Sequence, residues 1–115
     1  MAVNYVTVEG NLGRDPEQNG NGPVKFSICW NQRKKENDEW VSIPNWFEVV
    51  SWEREKVSAA GLTKGTRVIV TGRISEETWT DKESGQKRSK VVIVADRDGI
   101  ATSLPFVERN DQPDW

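Results

Sequence analysis

IPNWFEVVSWEREKVSAAGL, residues 43–62, changes its period half-way along. From Ile43 to Trp52 the chain is rich in β-branched and aromatic residues and reads as a strand. Alternation puts Trp46, Glu48, Val50 and Trp52 on one side and Phe47, Val49 and Ser51 on the other. An unpaired carboxylate is costly to bury, so Glu48 marks the wetter face. Trp46 and Trp52 are then expected outside, with Phe47 and Val49 in the core. From Glu53 to Leu62 helix-forming Glu, Arg, Lys and Ala take over, and Gly61 and Gly65 end the run. The stretch is a strand feeding a short helix.

Four further strands flank this unit. Val3–Gly13 alternates and carries Gly10 and Gly13, the mark of a strand with a bend or bulge. Arg14–Pro23 is a turn region, and Pro23–Gln32 a second strand with Phe26, Ile28 and Trp30 on one face and Lys25, Ser27 and Cys29 on the other. Arg33–Glu39 reads as a charged loop at a hairpin tip. After the helix, Thr66–Ile74 directs Val68, Val70 and Ile74 inward and Arg67, Ile69, Thr71 and Arg73 outward. The outward parity continues through Ser75 and Glu77 to Trp79. Ser75–Thr80, the turn Asp81–Gln86 and Lys87–Ala95 form a long hairpin, and the pattern fades beyond Asp96. The expected fold class is all-β: a five-stranded antiparallel OB-fold barrel with one short helix between strands three and four, an open sandwich being the alternative. The domain is expected over residues 1–105, followed by a short acidic tail over 106–115.

Composition narrows the function classes. The 115 residues hold no histidine and one cysteine, Cys29, so the commonest general base and metal ligand are missing and no internal disulfide can form. No catalytic residue, metal or cofactor is expected, and an enzyme is the weakest reading. No apolar run reaches membrane-spanning length, and the chain opens on a strand pattern rather than a charged-then-apolar leader. The cytoplasm is the expected compartment. The net charge is −2, contributed by Glu108, Arg109, Asp111 and Asp114 near the end, so residues 1–107 are neutral, with 15 basic and 15 acidic side chains. A neutral domain binds nucleic acid only through local basic clusters and a non-electrostatic contribution.

Tryptophan supplies that contribution. Six of the ten aromatic residues are Trp, in a chain with only three Leu and three Phe. Exposed indoles beside cations stack on any base, at about 1–3 kcal/mol each. Trp46, Trp52 and Trp79 are the expected stacking set, with Lys87 and Arg88, joined by Lys90, as the basic cluster near Trp79. Arg14, Arg33, Lys34 and Arg73 are candidate phosphate contacts, which position a strand without reading its sequence. Trp30, level with Phe26 and Ile28, reads equally as core and as a base contact. For Trp40, beside the charged loop, packing is the stronger of the two readings.

Several segments resemble the bacterial single-stranded DNA-binding protein family, over nearly all of residues 3–95. Asn4-Tyr5-Val6 through Gly10-Asn11-Leu12-Gly13-Arg14-Asp15-Pro16-Glu17 is similar to that family's first strand and following turn. Phe26-Ser27-Ile28-Cys29-Trp30-Asn31-Gln32-Arg33 and Lys64-Gly65-Thr66 through Gly72-Arg73-Ile74 resemble two further strands, in the same order. The resemblance implies an OB fold, a homotetramer, and stacking aromatics at Trp46, Trp52 and Trp79, the residues that alternation places on the polar face. The family's fourth stacking position falls on Lys34, which leaves Trp30 or Trp40 to take that role. No long Gly-, Pro- and Gln-rich linker is present. Asp111-Gln112-Pro113-Asp114-Trp115 reads either as a shortened acidic tip that recruits replication and repair proteins or as a plain terminus, the plain terminus being the stronger reading.

The expected function is binding of single-stranded DNA without sequence preference, protecting it during replication, recombination and repair. An OB-fold scaffold or replication-restart subunit, or a module for RNA or oligosaccharide, is the alternative.

Overall fold

The computed structural model describes residues 3–18 and 20–102. In chain order it contains β1 (Val6–Leu12), β2 (Glu17–Gln18), β3 (Val24–Glu36), β4 (Glu39–Ser51), α1 (Arg54–Ala60), β5 (Arg67–Thr80) and β6 (Lys87–Thr102). The strands hydrogen-bond in the order β1-β5-β6-β4-β3-β2, and β1 also pairs with β3. That last pairing closes five long strands into a barrel, with the two-residue β2 added along β3. All seams are antiparallel except the short one between β4 and β6, which is parallel at Val49↔Ile93 and Val50↔Val94. Five strands, one helix between the third and fourth long ones and a closed sheet make the expected OB architecture.

Closure depends on Gly10. β1 lies along β5 from Val6 to Asn11 and meets β3 at Asn11↔Cys29 and Leu12↔Ile28. A Cβ on Gly10 would stand 2.6 Å from the Cys29 carbonyl oxygen, too close for any side chain, so only glycine lets the two backbones approach. Inward residues from all the long strands fill the barrel: Leu12, Phe26, Ile28, Val49, Val68, Val70 and Ile93. Helix α1 packs Val57 into the same core, and Leu62 follows it in. The helix ends where Gly61 turns left-handed at φ 66° and donates its N–H to the Ser58 carbonyl.

Two hairpin ribbons extend from the barrel, and both differ from the expected boundaries. The charged stretch Arg33–Glu39 is not a loop: β3 and β4 stay paired as far as Glu36↔Glu39. Only Asn37 and Asp38 turn, at φ 49° and 63°, the left-handed pair that two-residue hairpins require and that Asn and Asp tolerate. Arg33, Lys34 and Lys35 therefore lie along a ribbon arm rather than at its tip. β6 likewise continues past Asp96 to Thr102, pairing Ile100 with Val70 and Thr102 with Val68 beyond an irregularity at Val70/Gly72. Ile74, expected inside, is 48% exposed, and the β1 pairing that covers β5 ends two residues before it, at Val6↔Gly72.

Candidate nucleic-acid interface

Register sorts the side chains, because residues directly opposite each other on paired strands share a face. From β3 the outer face receives Lys25, Ser27, Cys29, Asn31, Arg33 and Lys35, opposite Val50, Glu48, Trp46, Pro44, Ser42 and Trp40 of β4. From the β5–β6 ribbon it receives Arg73, Ser75, Glu77 and Trp79, opposite Val94, Val92, Lys90 and Arg88. The Val50↔Val94 pair joins the two halves. Along these strands the face carries six cations, Lys25, Arg33, Lys35, Arg73, Arg88 and Lys90, against two carboxylates, Glu48 and Glu77. The acids of the β3–β4 ribbon, Glu36 and Glu39, turn to the reverse side. A neutral chain thus folds into a domain with a locally basic face.

The indoles line this face. Trp46, Trp52 and Trp79 are 58%, 64% and 44% exposed, as the alternation of Trp46 and Trp52 with buried Val49 and Ser51 requires. Trp46 is seated: a Cβ on Gly13 would fall 2.6 Å from its Cζ3 and 2.8 Å from its Cη2. Its ring therefore lies against bare backbone, and the Gly13 N–H is bound in turn to the Ser27 carbonyl. The Lys90 ammonium lies 5.7 Å from the Trp79 ring centroid.

Trp40 joins the same face. It is 62% exposed, lies opposite Lys35, and the Arg33 guanidinium sits 5.5 Å from its ring centroid. Trp40 and Trp46 lie six residues apart within β4, an even number that keeps one parity along a strand, and Trp52 follows at the same interval one residue past its end. That spacing is the signal that reading the stretch as a loop concealed. Lys25 and Gly13 were not singled out by sequence as part of this face, Gly13 reading only as a bend, and Lys35 read as part of a charged hairpin tip.

The remaining sequence candidates separate. Arg73 is exposed on the outer face, and Arg88 is there too, its Nε 3.0 Å from Asp81. Arg14 borders a shallow cleft with Lys25, Ser27, Glu48 and Lys90, and lies 3.7 Å from Glu17. Lys34, Trp30 and Lys87 have the opposite parity. Lys34 pairs with Val41 and sits 4.0 Å from Glu36, and Lys87 lies opposite Thr80. Trp30, 45% exposed, borders a separate groove of about 510 Å³ with Glu9, Asn11, Phe47 and Arg67.

The middle of the face is an ion-pair chain. Lys90 Nζ lies 2.9 and 3.0 Å from the two Glu48 oxygens and 3.8 Å from Glu77, which is itself 3.8 Å from Lys25 Nζ. The Lys25–Glu77 pair links β3 to β5 across the two strands between them. Val50 and Val92, on this outer face yet 2% and 1% exposed, belong to those intervening strands, opposite Lys25 and Ser75. Elsewhere, the Glu83 N–H and then Arg88 hold the Asp81 carboxyl below its ordinary value, and the Lys56 ammonium does the same for Asp98. Among the described residues no group of His, Cys, Asp or Glu could hold a metal, and no helix is long and apolar enough to cross a membrane.

Against known proteins, the profile of the Single-strand binding protein family matches residues 3–100. The chain is 38% identical over 99 residues to the single-stranded DNA-binding protein of Borreliella burgdorferi, covering 82% of this chain and 66% of that protein. It is 39% identical over 98 residues to the protein of the same name from Treponema pallidum, covering 81% and 54%. The chain thus spans between half and two thirds of these relatives' lengths. Among solved structures, a small single-stranded DNA-binding protein from Streptomyces coelicolor superposes with TM-score 0.62 at 26% identity, over 90% of this chain and 97% of the other. A Plasmodium falciparum SSB in complex with ssDNA superposes with TM-score 0.73 at 23% identity, over 89% and 94%, a likeness of fold.

Proposed function

Because the chain belongs to the single-strand binding protein family, we propose that it binds single-stranded DNA along the outer face of β3–β6, without sequence preference and without chemistry. The observation that carries this reading is the gathering of Trp40, Trp46, Trp52 and Trp79 on one side, exposed by 44–64%, with Arg33 over Trp40 and Lys90 over Trp79. Each ring is at least 44% exposed, and every base has a π-face to offer it. Duplex DNA keeps its bases stacked on one another, so this face discriminates by availability of bases rather than by their identity.

In this reading Trp46 and Trp79 hold bases on either side of the central ion pairs. Trp52 extends the path at the helix end of β4 and Trp40 extends it along the ribbon. Arg33, Lys35 and Arg73 face the phosphates, while Arg88, paired with Asp81, and Arg14, beside Glu17, stand along the path without giving up their carboxylates. Trp30, Lys34 and Lys87 turn away from that path, and we assign them to the reverse faces of the ribbons. Lys34, where the family's fourth aromatic is expected, is replaced in this role by Trp40 on the facing strand. β1 is paired with β3 only at Asn11 and Leu12, and Gly10 lies against Cys29, which leaves the β1 edge from Val6 to Glu9 open toward another strand. We take that edge, with the family resemblance, as the route to a homotetramer. Protection of exposed strands in the cytoplasm during replication, recombination and repair follows from such binding. Residues 106–115, proposed as an acidic tail beyond a domain over 1–105, lie outside the described residues, as does any recruitment of repair proteins through them.

The test is a titration of intrinsic tryptophan fluorescence with oligo-dT, a matched duplex and a matched RNA. Deep quenching by oligo-dT with little by duplex is the expected result. Quenching by RNA alone would move the function to an RNA module. No quenching at low salt would assign the indoles to protein contacts and sink the DNA reading.

A further inference from the structure

Glu48 and Glu77 stand among the tryptophans, on the face where a polyanion is to bind. Their side chains are 27% and 34% exposed, so they are accessible from the face rather than sealed below it. Glu48 chelates Lys90 through both oxygens, and Glu77 lies 3.8 Å from both Lys90 and Lys25. Arg14, on the rim of the same cleft, lies 3.7 Å from Glu17. Every cation bordering this cleft of about 320 Å³ therefore already has a carboxylate beside it. A carboxylate and a phosphate both offer anionic oxygens to an ammonium, so a carboxylate already beside Lys90 or Lys25 competes with an incoming phosphate for its N–H donors and repels it.

We propose that Glu48 and Glu77 act as built-in competitors of the DNA phosphate, occupying Lys90 and Lys25 so that the centre of the face grips bases and not backbone. The inference rests on the DNA-binding reading above and adds a function to two residues that such a reading alone leaves unexplained. Its physical consequence concerns counterions. A phosphate that displaces a carboxylate from a lysine exchanges one ion pair for another and leaves the freed carboxylate to repel it. The strand therefore gains little from these lysines, and its hold at the centre depends weakly on salt. The arrangement keeps the stacking rings as the grip and leaves the strand easy to release.

The measurement is oligo-dT affinity against salt for the full chain, for Glu48→Gln and for Glu77→Gln, read by fluorescence quenching. Each amide keeps the side-chain shape but cannot neutralise a lysine. Both variants are expected to bind about two- to fivefold tighter at roughly 0.1 M salt, the range of a screened surface ion pair. The slope of log K against log[salt] should steepen by about 0.7 for each lysine released to a phosphate. Adding Lys90→Gln to Glu48→Gln should remove that increment. Folded variants that quench like the parent but bind no tighter, with an unchanged slope, would overturn the competitor role while leaving DNA binding intact. A parent protein that oligo-dT does not quench would instead bring down the reading on which it rests. Glu77 lies out on the hairpin arm, so the Glu77→Gln arm decides the matter even where Glu48→Gln disturbs the barrel.

Discussion

At the scale of single residues, Trp46 is held in place by what Gly13 lacks. A ring 58% exposed would ordinarily rotate among several positions, and ordering it on a ligand costs side-chain entropy. Here it rests on bare backbone, with the space for a Cβ taken by Cζ3 and Cη2. Gly13→Ala should therefore push the indole off its seat without touching the core. The expected outcome is a thermal midpoint within a few degrees of the parent and a loss of oligo-dT affinity approaching that of Trp46→Ala, about 1–3 kcal/mol. Thermal melts and quenching titrations on the two variants check both halves. Equal affinity for Gly13→Ala and the parent would mean that the seat contributes nothing. Unfolding of Trp46→Ala would place that ring in the core, against its exposure.

At the scale of elements, the two ribbons carry the argument. Their arms were legible where one residue type forced a side: Glu48 identified the wet face of β4, and the rings sharing its parity are exposed. The helix was legible because its composition changes abruptly at Glu53 and stops at Gly61. The β3–β4 ribbon was not, because a two-stranded arm outside the barrel has no buried side and so shows no apolar alternation. Charged residues from Arg33 to Glu39 then look like a loop, and Trp40 looks like its neighbour. The turn of the second ribbon is better specified, since Asp81 accepts the Glu83 N–H at 2.9 Å and pairs with Arg88 at 3.0 Å. These partners lower its pKa from the ordinary 3.8, so the turn's added stability is complete above that value and is lost as pH falls through the lower, folded one. In an NMR titration the Asp81 carboxyl should change below the midpoint of an unstructured aspartate. The Glu83 amide should report the same transition. Asp81→Asn should abolish the shift of that amide with pH. A midpoint at the ordinary value would show that the turn does not hold the carboxylate.

At the scale of the whole molecule, the proposed function raises the question of how a chain of net charge −2 would hold a polyanion. The fold resolves it by partition rather than by excess. β-alternation sends Arg33 and Lys35 to the tryptophan side of one ribbon and Glu36 and Glu39 to the other, a separation that composition averages away. Of the six cations on the face, Lys25, Lys90 and Arg88 already lie beside Glu77, Glu48 and Asp81. Among the described residues no carboxylate lies within ion-pair distance of Arg33, Lys35 or Arg73, and these three are the ones able to exchange bound counterions for phosphate. Three such exchanges on a single strand, at about 0.7 each, give a slope of log K against log[salt] near −2 for each domain. A binder that relied on its full set of six would show about −4. The measurement uses an oligo-dT short enough to cover one domain, titrated at several salt concentrations well away from complete binding. A slope near −2, with appreciable affinity surviving at high salt, means that stacking supplies most of the grip. Removing a ring should then lower affinity without altering the slope, whereas Arg73→Gln should make it shallower by about 0.7. A slope near −4 in the parent would show that the carboxylate-paired lysines and Arg88 are surrendered to the strand, and that charge rather than the indoles dominates the hold.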